Sequence, residues 1–375
     1  MAGIYIHIPF CTQRCTYCDF YTEVAPDFIP SLIDAMATEI KLRKEYVQNS
    51  PINTIYFGGG TPSILKVEQF TTIFEAIYSR HTVAGDAEIT FEANPDDLTP
   101  DFLSSIRSLP FNRISIGIQS FDDNDLKRIN RRHTSQQAIK AVKDAQVAGF
   151  SNISIDLIYG LPFQTLKAWE KQLDTALNLQ IQHISAYGLT YEEGTSLWKQ
   201  RENGMIETVD DSTMNEMYNL LLDKTSQHGF EAYEISNFAL PGYRSRHNSS
   251  YWKQEPYIGI GPSAHSYDVI SRQWNIASIK EYIKAINADK PFFEREELTL
   301  YNRYNDFVMV TLRTYDGLDM KALEKEFGSE LADYCLKNIK TFMDSEQVYY
   351  LDGKLRLTRE GIQISNLILL QLMKV

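Results

Sequence analysis

Cysteine is scarce in this chain: 375 residues contain four. Long apolar runs are missing as well. The longest candidate, Ile362 to Met373, is broken by Gln363, Ser365, Asn366 and Gln371. It falls short of the ~20 apolar residues that a spanning helix needs. The opening Met1-Ala2-Gly3-Ile4-Tyr5-Ile6-His7-Ile8 has neither a basic segment nor an extended apolar core, so it does not read as a secretory signal. Positive charge is not in excess. A net charge of -12 argues against a broad electrostatic surface for nucleic acid. The local basic run Arg128 to His133 still suits a small anion. No low-complexity linker, coiled coil or internal repeat interrupts the chain. These absences predict a cytoplasmic protein with no membrane anchor and no nucleic-acid partner. A 43% hydrophobic content supports one large domain plus a smaller one.

What cysteine there is, is concentrated. Cys11, Cys15 and Cys18 follow a C-x3-C-x2-C spacing, and Cys335 lies far away in an apolar helical stretch that reads as core. Disulfides need an oxidising compartment. A structural zinc site wants four ligands. His7 is a candidate fourth, but it falls in an alternating strand where packing would orient it. Three local thiolates favour a cubane iron–sulfur cluster with one iron left open to a small molecule.

Strand-like and helix-like segments alternate through the first half. Ile4–Pro9, Thr54–Phe57, Glu88–Ala93, Arg113–Ile118, Ile153–Leu157 and His183–Leu189 read as strands. Pro30–Val47, Glu68–His81, Ser135–Ala148 and Leu166–Leu179 read as helices. The strands read as apolar runs covered on both faces of a parallel sheet. The fold class is α/β, an open partial (β/α)6 barrel with its catalytic loops at the strands' C-terminal ends. Beyond Leu300 the rhythm stops. Helices over Asn305–Arg313, Leu318–Phe327, Leu331–Ser345 and Arg359–Leu372, with an Asp-Gly hairpin over Val348–Leu357, make a smaller C-terminal helical, winged-helix-like domain. Its mixed charge gives no basic recognition helix. The expected divisions are 1–190 for the barrel, 191–299 for a flanking segment and 300–375 for the C-terminal domain. Within the flanking segment, Tyr191–Ile235 reads as connecting helices and Tyr257–Ser266 as a glycine-rich loop.

Polar residues gather where the strands end. The cysteines follow the first strand, and Gly58-Gly59-Gly60-Thr61-Pro62-Ser63 follows the second. Glu92 closes the third, Gln119 the fourth, and Asp156 lies near the end of the fifth. Each alone could cap a helix. Their recurrence at one end of successive strands points to a shared site.

These stretches together resemble the radical S-adenosylmethionine (SAM) superfamily. The likeness is closer to its oxygen-independent coproporphyrinogen oxidase-like branch, and within that to the HemW-type heme chaperones. Tyr5 to Cys11, Phe57 to Pro62, Ser115 to Phe121, Asp156 to Pro162 and His247-Asn248-Ser249-Ser250-Tyr251-Trp252 carry it. The resemblance implies a radical SAM barrel whose [4Fe-4S] cluster is held by Cys11, Cys15 and Cys18. SAM would chelate the open iron and be cleaved there to a 5′-deoxyadenosyl radical. Tyr5, Tyr17, Gly59, Gly60, Thr61, Glu92, Gln119, Arg131 and Asp156 would line the SAM pocket. In it Glu92 would meet the amino group or the ribose hydroxyls, Arg131 the carboxylate, and Tyr17 the cluster or the adenine.

The resemblance also divides two functions. The oxidases carry a further cysteine two positions after the third ligand, where this chain has Phe20, and an N-terminal extension that is not seen here. The HemW-type signature is matched by His247, Asn248, Tyr251 and Trp252. This implies a protein that binds heme and delivers it to acceptor, respiratory proteins. The alternative is an oxygen-independent coproporphyrinogen III oxidase; an RNA-directed radical SAM enzyme fits the acidic charge less well. Imidazole is a common heme ligand, so His247 is a candidate for the iron, with Asn248, Tyr251 and Trp252 around it. His7, His133, His183, His228 and His265 stay open as alternatives. The resemblance allows a cluster-dependent homodimer.

Overall fold

The structure, a computed structural model, describes residues 1–48 and 50–375. Its first half runs β1 (Ala2–Ile8), α1 (Ile29–Leu42), β2 (Ile52–Gly59), α2 (Val67–Arg80), β3 (Val83–Ala93), α3 (Pro100–Ile106), β4 (Arg113–Gln119), α4 (Asp123–Arg128), α5 (Ser135–Val147), β5 (Ile153–Tyr159), α6 (Leu166–Leu177) and β6 (His183–Gly188). β1 to β6 pair in chain order and all in parallel. This is the α/β partial barrel of six β/α units that the sequence pattern predicts.

The sheet does not close on itself; it continues at both edges into twelve strands. After α7 (Ser196–Glu202) and α8 (Asp211–Gln227), β7 (Glu231–Ala232) and β8 (Asn237–Ala239) add antiparallel beside β6. α9 (Arg246–Trp252) follows, and β9 (Tyr257–Ile260) returns to the opposite edge, parallel to β1. β10 (His265–Tyr267), β11 (Ser271–Asn275), α10 (Ile279–Asn287) and β12 (Phe293–Glu297) complete that flank. The glycine-rich reading of Tyr257–Ser266 is therefore corrected. Ile258 and Ile260 are buried strand residues, and the glycines between them hide a pattern only four residues long.

The six parallel strands are not apolar on both faces. Ile4, Ile6, Ile8, Ile55, Phe57 and Phe91 face the helices and are wholly buried. Phe57 packs edge-on against Phe70 of α2 and against Phe111. The intervening positions, Tyr5, His7, Tyr56, Glu92, Ser115, Asp156 and Ser185, bond to one another across the concave face. Strand side chains alternate between faces, so the lumen is polar where a closed eight-fold barrel stacks aliphatic layers.

The C-terminal unit has its own apolar core, built on Tyr304, Val308, Leu323, Cys335, Leu355 and Ile368. It comprises α11 (Leu300–Leu312), β13 (Leu318–Asp319), α12 (Met320–Phe327), α13 (Ser329–Asp344), β14 (Val348–Leu351), β15 (Lys354–Leu357), α14 (Arg359–Gln363) and α15 (Ser365–Leu372). The Asp352-Gly353 turn has positive φ at both residues, as a two-residue hairpin turn requires. One helix was expected over Arg359–Leu372; two form, broken at Ile364.

A buried carboxylate ties α1 to the far flank. Glu39 Oε1 accepts from Arg43 at 3.0 Å and from Asn275 at 2.8 Å, while Oε2 accepts from the Gly261 N–H at 2.8 Å and from Tyr282. Arg43 in turn donates to the Gly259 carbonyl, Ser266 and Gln273. Removing one member strands the others without water. Glu39→Ala should therefore cost about 3–5 kcal/mol in denaturant unfolding, and Glu39→Gln distinctly less.

Candidate functional site

At the strands' C-terminal ends the lumen opens into a cavity of about 570 Å³. Cys11, Cys15 and Cys18 form one wall, and Gly59, Gly60 and Thr61 another. Glu92, Gln119, Arg131 and Asp156 supply the polar lining, with Tyr17 beside them. These are the expected SAM residues with one exception. Tyr5 lies deeper, its hydroxyl 3.0 Å from His7 Nδ1 and its ring stacked on Tyr56.

The cysteine loop is closed at its base. The Cys11 N–H donates to the Glu23 carbonyl and the Glu23 N–H to the Pro9 carbonyl. Its tip is docked on the residues after α4. The Thr16 N–H donates to the Ile129 carbonyl, Asn130 Nδ2 to the Arg14 carbonyl at 2.8 Å, and Gln13 Nε2 to Asn130 Oδ1 at 2.7 Å. Donors also reach the sulfurs: Thr61 Oγ1 lies 3.4 Å from Cys11 Sγ and Arg131 3.5 Å from Cys15 Sγ. Burial pushes the Cys18 thiol up to about 11 and raises that of Cys11. A bound metal centre deprotonates such thiols outright.

Among the described residues no three His, Cys, Asp or Glu side chains converge on a single metal ion. A cubane makes a different demand, since each thiolate binds its own iron, and three sulfurs spread along one donor-rich loop fit it. The zinc alternative through His7 is not supported. Both its ring nitrogens are engaged, by the Tyr5 hydroxyl and by the Tyr21 carbonyl at 3.1 Å.

The glycine loop is held against the cysteine loop. The Gly60 N–H donates to the Ile8 carbonyl and the Thr61 N–H to that of Phe10, both at 2.8 Å. A Cβ on Gly60 would lie 2.6 Å from the Phe10 carbonyl oxygen, and one on Gly59, whose φ is 102°, 2.5 Å from the His7 ring. Only glycine permits that approach. Gln119 is a non-glycine residue at φ 67°, beside a register shift between β4 and β5. The irregularity turns its side chain into the cavity, a use that bulges near functional sites often have.

The carboxyls of the cavity are unlike surface acids. Glu92 accepts from the Tyr56 hydroxyl at 2.6 Å and from the Gly59 N–H at 3.2 Å. Burial, with Asp156 nearby, still raises it to about 7. Burial likewise raises Asp156 to about 6, against the pull of Ser185 and Ser115. Arg131 donates to Asn94 Oδ1 at 2.6 Å and to the Gly117 carbonyl, yet its buried Nε has no partner. An unpaired guanidinium N–H beside two acids inclined to stay neutral suits a ligand that brings its own carboxylate and ammonium.

Reading the sequence missed three contributors. Asn94 orients Arg131, Tyr56 holds Glu92, and Tyr187 lines the cavity from β6. Following the inward alternation to the end of every strand would have found Tyr56 and Tyr187.

The His247 group is elsewhere, at the opposite end of the lumen. α9 crosses beneath the strands, its first N–H groups held by Glu88, which accepts from Arg246 and His247 at 3.1 and 3.0 Å. His247 is 2% exposed. Its Nδ1 meets Thr54 and its Nε2 meets Tyr251, each at 2.8 Å, and its ring stacks on Tyr56 at 4.9 Å. Burial lowers it to about 3. Both nitrogens being taken, the packing makes it a core pin and does not present it as a heme ligand. Asn248 binds the Tyr233 hydroxyl, and Trp252 reaches a second cavity. Of the other imidazoles, His183 is doubly bonded inside, His133 and His7 are buried, and His228 Nδ1 donates to the Lys224 carbonyl; His265 is exposed and stacks on Trp274.

Glu92 also sets a pH dependence. Because its folded value is raised, it contributes stability below the usual carboxylate range that is lost as pH rises through about 7. The protein without ligands should lose thermal stability between about pH 5 and pH 8, up to ~1.4 kcal/mol per pH unit within that window. Glu92→Gln should flatten this loss in paired melting curves. An unchanged slope would contradict the environment assigned to it.

Comparisons with known proteins agree with this architecture. The radical SAM superfamily profile matches residues 5–176 and the HemN C-terminal domain profile residues 298–364. The heme chaperone HemW of Bacillus subtilis is 33% identical over 98% of this chain and 97% of its own. That of Lactococcus lactis is 32% identical over 96% and 94%, and that of Escherichia coli 37% identical over 70% and 69%. Among solved structures, the E. coli coproporphyrinogen III oxidase HemN, a radical SAM enzyme, superposes with a TM-score of 0.85 at 22% identity, covering 99% of this chain and 89% of that one. That last likeness speaks for the fold. With a three-cysteine loop at the mouth of an open six-unit barrel, and near-full-length relatives above 30% identity, the chain belongs to the HemW family of the radical SAM superfamily.

Proposed function

We propose that the chain is a heme chaperone: it binds heme and passes it to acceptor proteins, respiratory ones among them, while carrying a SAM-binding [4Fe-4S] cluster. The observation that carries this reading is the near-full-length likeness to the B. subtilis and L. lactis heme chaperones. Phe20 adds to it. It lines the cysteine cavity, 62% exposed, where the resemblance places a further cysteine in the oxidases. A phenyl ring there supplies no thiol chemistry. No helix among the described residues is long and apolar enough to cross a membrane, and a cytoplasmic location with handover to membrane-bound acceptors fits the reading. So does a homodimer.

In this reading Cys11, Cys15 and Cys18 hold three irons of the cluster. When bound, the cluster and SAM together supply reductive cleavage of a sulfonium bond. The remaining work belongs to side chains. Arg131 offers its unpartnered Nε to the SAM carboxylate. Glu92 and Asp156 line the cavity where they would meet the ammonium or the ribose hydroxyls. Gln119 and the Gly59–Thr61 backbone fix the ligand's position, Tyr17 excludes water beside the sulfurs, and Tyr5 supports Tyr56 from below. Arg131→Gln should weaken SAM binding about tenfold or more, measured calorimetrically on cluster-loaded protein.

Two assays on one anaerobic preparation separate the chaperone from the oxidase reading. Hemin should give a stable stoichiometric complex with its own Soret band. Coproporphyrinogen III with SAM and reductant should remain unconverted. Formation of protoporphyrinogen IX without a hemin complex would replace the chaperone reading by the oxidase.

A further inference from the structure

A second cavity of about 460 Å³ lies at the floor of the barrel, the end away from the cysteines. Its walls come from both units. Thr54 lies in the first part of β2, Trp252 ends α9, and Phe307 and Thr311 belong to α11 of the C-terminal unit. Three aromatic side chains line it: Tyr233, Trp252 and Phe307. So do three cations, Arg244, Arg246 and Lys253, against two acids, Glu255 and Asp316. The size falls within the range of ligand pockets.

We propose that this floor cavity is where heme is held, an inference that rests on the chaperone reading above. Heme is a flat apolar macrocycle with two carboxylates on one edge. The aromatic walls match its faces and the cations match its edge. The arginines have partners already: Arg244 lies 3.1 Å from Glu231 and 3.8 Å from Asp316, and Arg246 3.4 Å from Asp86. These are exposed pairs of little worth, so a propionate displaces them at small cost. Trp252 Nε1 is buried with no hydrogen-bond partner, a donor left over for the ligand.

No imidazole lines this cavity, and His247 just inside it has both nitrogens bonded. Met1 and Tyr233 line the cavity and are of types that ligate heme iron, but the Tyr233 hydroxyl is bonded to His183 and Asn248. The proposed grip is on heme's faces and carboxylates, with the iron contributing little. Such a hold suits cargo that must be released. It also explains the family signature without iron ligation: His247 and Tyr251 pin α9 under the lumen, Asn248 positions Tyr233, and Trp252 forms the wall.

The test uses cluster-loaded full-length protein titrated with hemin and, separately, with metal-free protoporphyrin IX. Arg244→Gln/Arg246→Gln should weaken hemin about tenfold or more, and Thr311→Trp, which fills the cavity, should do likewise. Iron content and SAM affinity should stay at wild-type values in both variants, showing that the barrel is intact. Protoporphyrin IX should bind within about threefold of hemin, since little affinity comes from the iron. The placement is overturned if wild type binds hemin and both variants keep its affinity, if protoporphyrin IX does not bind, or if His265→Ala alone abolishes the complex. Wild type that binds no hemin at all would instead overturn the chaperone reading on which the placement rests.

Discussion

The structure depends on one alternation. Along β1 to β6 apolar side chains that pack under the helices alternate with inward-facing ones, and most of the inward ones are polar and bond to one another across the lumen. A half-buried strand is the ordinary source of such a pattern, but here the wet face is turned inward. Buried polar groups must find partners or a ligand. Most of them pair with one another. Two that do not mark the two cavities: Arg131 Nε at the one by the cysteines and Trp252 Nε1 at the one on the floor. Glu92 and Asp156, at the open end, are pushed up because burial withholds solvent from them.

The lumen also links its two ends. Glu92 at the cysteine cavity is held by Tyr56, whose ring stacks on His247, which bonds Thr54 and Tyr251 at the floor. β3 carries Glu92 near its C-terminal end and Glu88, the anchor of α9, at its middle. One strand thus sets the acid of the upper cavity and the helix that walls the lower one. The C-terminal unit, with a separate apolar core, closes the lower cavity from outside.

Much of this was legible in the residues. The C-x3-C-x2-C spacing, the glycine triplet and the polar strand ends each reported a local requirement: soft ligands on a short loop, close backbone approach, and side chains aimed from β-strand termini. Local requirements leave local marks. β9 was not legible, because its pairing with β1 joins residues more than two hundred apart and its glycines imitate a turn. The role of His247 was not legible either. A histidine beside aromatics reads the same whether it binds iron or pins a helix. Only the Thr54 and Tyr251 bonds, made from other elements and from one turn further on, distinguish the two. Tyr5 failed as a cavity residue for a simpler reason: it sits one inward position too early on β1, behind His7.

The account's centre is a cysteine loop that supplies three thiolates and leaves SAM to complete the cluster. Iron-57 Mössbauer spectra of anaerobically reconstituted protein, recorded with and without SAM, address it most directly. About four irons per chain should be found, with the signal of one shifting when SAM is added. Protein that retains no iron and sulfide, or a cluster whose irons all ignore SAM, would contradict it.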